Sequence, residues 1–520
     1  MNFKKIPTDM PQTWALGAIL VVSLLTLIVY RLWLHPLAKV PGPRLAALTY
    51  WYETYFELAH RSGGQFTFHI KELHSRYGPI VRINPDEVHI DDPNFYSKLY
   101  NNRDGHDKPG YLKWRFGSPH TLFSTPEHSI HRMRRAAQDP FFSRGKVLEF
   151  APQMRAIVDR MCDRLSDDFL DRDRYINLGD MFTSYVADIT TLYAFDRDFR
   201  YLEDPDFVPP FVKAIRGFKS IAQPFAQFPW LAKLMSMMPD SVVCFLQPSM
   251  SVILAFKDHI DSLIRDARHE FLMAAEKPRS SRRTIIHGVL GSNLPQEELS
   301  STILRDQAVG LIGAGIASSQ WTLVIAFFHI IENKDIYKML KEELVSAIPD
   351  PNQAVDLDKK LEKCRFLTAC VEEAIRLACG QIARSPRISS RAIQYEEHIL
   401  PPGTIISMDT WHMHHHPGIY PDSFTFKPER WLDGARAPYP YESKPLKHYL
   451  TSFGKGTRNC IGINLAYAEI TLAIAYLMRR FEWELVETTY TDVEIVRDLI
   501  APDVSRASKG VRALVKSAHS

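Results

Sequence analysis

The chain has 520 residues, 45% of them hydrophobic, and a net charge of only +3. That is enough to bury a large core, no composition break divides it into independent units, and the charge is too nearly balanced to argue for a nucleic-acid partner. Six cysteines, Cys162, Cys244, Cys364, Cys370, Cys379 and Cys460, show no paired framework, which argues against a disulfide scaffold and suits a reducing compartment.

Met10 to Tyr30 carry no charge, and about 20 predominantly apolar residues suffice to cross a bilayer. A cleaved signal peptide would have a shorter apolar core and a small-residue cleavage site, whereas bulky Arg31-Leu32-Trp33-Leu34 follow here. Residues 1–35 therefore read as a single-pass membrane anchor. Arg31, Lys39 and Arg44 outweigh the flank of Lys4, Lys5 and Asp9, which places the rest of the chain on the cytosolic side. Residues 36–45, with Pro41-Gly42-Pro43, form a stiff hinge, and 46–520 make the globular part.

Beyond the hinge the pattern is mainly α with a small β-sheet region. Ile80–Ile83 and Val88–Ile90, joined across Asn84-Pro85-Asp86, predict a hairpin; Arg391–Tyr395 and Thr404–Met408 are expected to be further strands of that sheet. His131-Arg132-Met133-Arg134-Arg135 is a basic cluster, of a kind that more often forms a solvated helix face. Lys277–Arg283 reads as a basic surface connection. A long apolar helix is expected from Ser301 to Ile331, and it contains Gly313-Ala314-Gly315-Ile316-Ala317-Ser318-Ser319, small residues that let a helix open locally. The glycine order at Gly310–Gly315 is wrong for a dinucleotide fingerprint, and no flavin or nicotinamide module is evident.

Glu373 and Arg376 stand three residues apart on a helix whose apolar face holds Leu367, Cys370, Val371, Ala374 and Ala378. Taken alone, such a pair is more often an exposed salt bridge. His412-Met413-His414-His415-His416 is dense in imidazole but lacks a second cluster at zinc spacing, so no metal is expected there. Phe453-Gly454-Lys455-Gly456-Thr457-Arg458-Asn459-Cys460-Ile461-Gly462 carries the most chemistry. Gly454 and Gly456 allow a tight turn and close approach to a flat ligand, and Arg458 offers a fork for a carboxylate. Cys460 precedes a helix with Leu465, Ala468, Leu472, Ala475 and Tyr476 on one face; the positive helix end favours a metal-binding thiolate, and Gly462 keeps the first turn slim. A small buried hydrophobe is the other reading of this cysteine.

With these motifs in this order, the chain resembles the cytochrome P-450 haem-thiolate family from about Leu37 to the end. The resemblance implies that fold behind an N-terminal transmembrane helix, and haem b ligated by Cys460. It implies propionate contacts from His131, Arg135, Arg387 and Arg458, with Phe453, Gly456 and Gly462 lining the loop, and a buried triad of Glu373, Arg376 and Arg430, the last from Phe426-Lys427-Pro428-Glu429-Arg430-Trp431. The distal helix departs from the usual A/G-G-x-D/E-T: Ala314 and Gly315 fit, Ala317 occupies the acid position and Ser318 the threonine position, with Ser319 behind it. Ser318 is then the candidate proton-relay residue, while both serines bonding to helix carbonyls is the structural alternative. Residues 101–127, with Tyr111, Trp114, Phe116 and Phe123, and Pro224–Leu231 continuing to Met235, Met237 and Met238 are expected to shape the substrate entrance, though core packing explains them nearly as well.

Tyr30–Leu37, Tyr77–Pro85 and Asp503–Gly510 are similar to fungal trichodiene-oxygenase-like members. This implies a monooxygenase of secondary metabolism in the endoplasmic reticulum, facing the cytosol. Its expected partners are an NADPH-cytochrome P-450 reductase, O2, membrane lipid and a lipophilic, terpenoid-type substrate, with no nucleic acid. Two other readings stay open: a haem-thiolate isomerase or peroxide-rearranging enzyme needing no reductase, suggested by Ala317, and a non-catalytic haem carrier or sensor.

Overall fold

A computed structural model describes residues 12–209, 221–248, 250–274 and 284–518. The flank with Lys4, Lys5, Asp9 and Met10, and the Lys277–Arg283 connection, lie outside the described residues. The helices that matter for the site are α1 (Gln12–Val29), α2 (His128–Gln138), α3 (Arg144–Asp168), α4 (Leu178–Phe195), α5 (Ser301–Glu332), α6 (Arg365–Ala378) and α7 (Ile463–Arg480).

Among the described residues, two helical stretches are long and apolar enough to cross a membrane, and their surroundings differ. Trp14–Leu34, which is α1 and the wide helical turn after it, has a mean hydropathy of 2.2 and buries none of that surface against protein. The other is α5, with a mean hydropathy of 1.6 and 56% burial. It runs through the middle of the globule and packs on α4, α6 and α7. Its core side chains include Leu304, Ile312, Ile316, Leu323, Phe327 and Ile330, which interlock with Phe182 and Tyr185 of α4 and with Leu472 and Tyr476 of α7. An apolar helix clothed by other helices is a core element; one clothed by nothing has the composition of a span.

The predicted hairpin forms between β1 (Ile80–Asn84) and β2 (Glu87–Ile90), pairing Ile80 with Ile90 and Val81 with His89. With β3 as Arg387–Ile388, β4 as Ile393–Tyr395, β5 as His398–Leu400 and β6 as Ile405–Ser407, the main sheet has the order β1-β2-β6-β3. In it β6 runs parallel to β2 and antiparallel to β3. The expected strand at Arg391–Tyr395 exists only as β4, and it is not part of this sheet. It pairs with β5 in a separate hairpin, because Glu396 takes a left-handed φ of 49° and turns the chain back at once. Pro41 O accepts from Arg82 N at 2.7 Å, so the proline-rich segment lies along β1.

Candidate functional site

The Cys460 loop is built by short backbone bonds. Cys460 N donates to Phe453 O at 2.7 Å, Gly454 N to Thr451 O at 2.8 Å and Asn459 N to Gly456 O at 3.1 Å. Gly454 and Gly456 take φ of +62° and +75°, which favour glycine. The constraint at Gly456 comes from protein as well as from any ligand: a Cβ there would lie 2.6 Å from Asn101 O and 2.8 Å from Tyr100 C. The Phe453 ring packs 5.3 Å from Tyr467, fixing the loop on α7. Gly462 caps α7, its amide bonds the Cys460 sulfur, and a side chain on it would stand 3.9 Å from Sγ.

Cys460 is ringed by protein yet accessible, so its thiol lines an internal concavity. Burial raises the thiol above its ordinary pKa, and the Gly462 amide and Arg135 pull it back without prevailing. These two groups offset only part of the effect of burial. A coordinated cation would make the thiolate, since a metal-bound thiol is deprotonated outright.

Within α5, Ala314 and Ser318 are exposed while Ile312, Ile316 and Ser319 are buried, so the open patch is one helical turn wide. Ser318 Oγ donates to Ala314 O at 2.9 Å, the back-bond of the structural alternative. Gly315 sits on another face, where a Cβ would stand 3.5 Å from Thr190 Oγ1 of α4. Ser319 hydrogen-bonds Glu469 of α7, a carboxyl 2% exposed whose Oε2 has no partner and whose pKa burial raises to about 8. The sequence reading missed Glu469. Its signal was an acid among the apolar positions of α7, next to Ala468 and three residues before Leu472.

The cations named by the resemblance lie near one another, with one addition. Arg458 donates to Thr125 O at 2.8 Å and Pro126 O at 2.6 Å, leaving Nε unpartnered. Buried Arg387 donates to Pro386 O at 3.0 Å and lies 5.0 Å over the Tyr100 ring. Buried His131, with Nδ1 unpartnered, is pushed down to about 2 by burial and by Arg458 and Lys108, so it is neutral. Arg135 bonds Asn459 O and pairs with Asp139 at 2.9 Å, tying α2 to the loop. Arg134, from the same basic cluster, points elsewhere and pairs with Glu298 at 2.6 Å.

Lys108 is the addition. It is 9% exposed, donates to Phe123 O at 2.8 Å, and is driven well below the ordinary lysine pKa by burial and by Arg387, Arg458 and Arg115. Among the described residues, Lys108, Arg387 and Arg458 have no carboxylate in ion-pair reach. Cations placed this deep are costly without an anion, and the propionates of a porphyrin are anions of the required kind. The donor set and the accessible thiol thus fit haem.

Behind the loop, Glu373 and Arg376 are fully buried and joined at 2.8 and 2.9 Å. Glu373 also accepts from Arg430 Nε at 2.9 Å, Trp431 Nε1 at 2.8 Å and Lys427 N at 3.0 Å. Arg376 spends its remaining donors on His414 O at 3.0 Å, Ser423 O at 2.6 Å and Thr425 O at 3.3 Å. The structure thus brings Glu373, Arg376 and Arg430 together in one buried network. His412 is drawn into another, with Asp409 at 2.6 Å, which in turn holds His89 at 3.0 Å.

Comparison with known proteins identifies the family. The family model described as cytochrome P450 matches residues 43–501. The chain is 40% identical over 492 residues to the cytochrome P450 monooxygenase orf4 of Eupenicillium brefeldianum, covering 94% of this chain and 95% of that one. It is 34% identical over 503 residues to the tryptophan 6-hydroxylase fscE of Fusarium equiseti, covering 96% of each. A solved cytochrome P450DA heme domain superposes with a TM-score of 0.69 at 15% identity, covering 92% of this chain and 97% of that one. An accessible cysteine held in a glycine-shaped loop, a set of buried cations without acids, and these matches together make the chain a member of the cytochrome P450 family, an oxidoreductase.

Proposed function

We propose that the protein is a membrane-anchored monooxygenase that inserts one oxygen atom into a lipophilic small molecule, a terpenoid-type secondary metabolite. The single observation that carries the reading is the accessible Cys460 thiol at the head of α7, set in its loop by Phe453 O and the Gly462 amide. Cys460 ligates the iron of haem b, and His131, Arg135, Arg387, Arg458 and Lys108 hold the propionate edge. Bound haem with a thiolate ligand supplies the oxygen-activating chemistry.

The chain's own contribution is placement and protons. Ala314 leaves room on the open patch of α5. Gly315 lets α5 approach α4. Rotation of Ser318 Oγ away from Ala314 O frees a hydroxyl that accepts and passes a proton on the open face. Ala317 offers no carboxylate, so proton entry depends on Ser318, with Ser319 behind it. The triad of Glu373, Arg376 and Arg430 keeps the proximal side rigid.

Electrons come from a separate NADPH-cytochrome P450 reductase, and α1 holds the protein in the endoplasmic reticulum with the globule facing the cytosol, where membrane lipid meets the exposed Trp51, Trp230 and Met237. The Trp51 ring lies 5.9 Å from Phe228, which joins the anchor side to the second entrance segment. The names of its relatives, which include monooxygenases and an aromatic hydroxylase, support the reaction class.

The test is expression with reductase and NADPH in a host fed candidate terpenoids under labelled O2. One labelled oxygen per product supports the reading. Product formed without reductase and without label would establish the isomerase instead, and a stable haem complex without turnover would establish a carrier or sensor.

A further inference from the structure

The last helical turn of the anchor segment does not run free into the linker; the globule receives it. That wide turn closes with His35 N donating to Tyr30 O at 2.7 Å. The next carbonyl in the series is Arg31 O, and its donor would be residue 36, a proline without an N–H. Arg82 supplies the missing donor. This β1 side chain is 2% exposed, and its guanidinium gives Nη1 to Arg31 O at 2.8 Å, and Nε and Nη2 to Pro85 O at 3.2 and 2.8 Å. A cation placed there also faces the negative end of the helix.

Further contacts hold the same place. Arg31 reaches across to Leu48 O, at the end of the short helix Arg44–Leu48, with its guanidinium 5.9 Å from the Tyr50 ring centre. Asp86, in the turn between β1 and β2, accepts from the Tyr50 hydroxyl and faces His35 Nε2 at 3.4 Å. Leu37 N donates to His35 Nδ1 at 3.1 Å, which leaves the ring proton on Nε2 for Asp86. Just beyond, Leu37 and Val40 are buried with Ile80, Val88 and Ile90 of the hairpin. A linker that served only as a tether would need none of these bonds.

We propose that Arg82, Arg31 and Asp86 clamp the anchor helix to the main sheet, so that α1 and the globule tilt as one body and the exposed Leu45 and Trp51 are held against the bilayer surface. The partner of this face is the headgroup region of the membrane, where tryptophan is favoured. This rests on the reading of α1 as a membrane anchor, but the clamp itself requires no membrane.

The experiment uses the full-length haem-loaded protein, free in detergent and in phosphatidylcholine nanodiscs, native and with Arg82→Gln or Asp86→Ala. Hydrogen exchange is read at the amides of His35, Ala38 and Val40, which in native protein are protected in both settings. Arg82→Gln speeds their exchange roughly 10- to 100-fold, the range for a hydrogen bond to a charged group. Asp86→Ala, at a half-exposed side chain, speeds it less. Linear dichroism of the haem in oriented bilayers reads the tilt: native protein shows one defined orientation, and Arg82→Gln loses dichroism. The ferrous carbonyl spectrum reports whether each variant is folded, and the pair Tyr50→Phe with Asp86→Ala carries the test if Arg82→Gln fails to hold haem. Exchange at the free-chain rate in native protein, exchange or dichroism unchanged in the variants, or a native haem without defined tilt overturns the proposal. Protection that persists in a protein that does not enter the nanodisc leaves the clamp standing and refutes the anchor instead.

Discussion

Replacing Glu373 by alanine tests how the proximal side is held. The carboxylate is fully buried and accepts from Arg376 at 2.8 and 2.9 Å, Arg430 at 2.9 Å, the Trp431 indole at 2.8 Å and the Lys427 amide at 3.0 Å. Removing it leaves Arg376, itself fully buried, without its counter-charge. Breaking one partner out of a buried pair costs about 3–5 kcal/mol, and a stranded indole or amide donor about 1–3 kcal/mol each. Domains are commonly stable by only about 5–15 kcal/mol, so Glu373→Ala is expected to yield little folded, haem-loaded protein. Arg430→Ala costs less, because Glu373 keeps Arg376 and Arg430 sits at the edge of the network, where its Nη1 reaches Pro421 O at 3.2 Å. The assay is recovery of haem-loaded protein and its urea midpoint, in the order native, Arg430→Ala, Glu373→Ala. A Glu373→Ala protein within about 1 kcal/mol of native would refute the reasoning, since it would show that Arg376 does not need this carboxylate.

Other outcomes follow from single contacts. Gly456→Ala places a Cβ 2.6 Å from Asn101 O at a φ of +75°, and costs roughly 1–3 kcal/mol in thermal unfolding; an unchanged melting point contradicts it. Glu469 holds its proton to about 8 when folded against an ordinary 4.5, so the unfolded chain ionises first and stability falls as pH rises through that window. Glu469→Gln removes this contribution, and denaturation at pH 5 and pH 8 should show a shallower loss; an equal loss in both proteins rules the origin out. Ala317→Asp raises the share of NADPH electrons recovered in product, and Ser318→Ala lowers it by up to roughly 100-fold, the low end for a proton-transfer group. Peroxide release measured beside product decides this, and no change in either variant removes Ser318 from the relay.

Much of the site was legible in sequence because its parts lie close together in the chain. The Cys460 loop spans ten residues whose spacing is itself the geometry, and Glu373 with Arg376 are one helical turn apart. Arg430 is recognisable only because its own segment has a distinctive order. What stayed hidden depends on tertiary contact. Lys108 stands in an irregular stretch where no periodicity says which side chain turns inward, and Glu469 gains its meaning from Ser319 on another helix. The misplaced strand at Arg391–Tyr395 has the same cause: alternation identifies a strand, but its partner was decided by the turn at Glu396. The composition of α1 and α5 likewise passes one test of apolar length, and only packing separates them.

The central claim is that Cys460 is the iron ligand of a working haem-thiolate enzyme. The direct measurement is the absorption of the reduced, carbon-monoxide-treated protein, native and Cys460→Ala, purified with equal care. Native protein is expected to show the band of a thiolate-ligated ferrous carbonyl, and Cys460→Ala to lose it. Retention of that band without Cys460 would contradict the account.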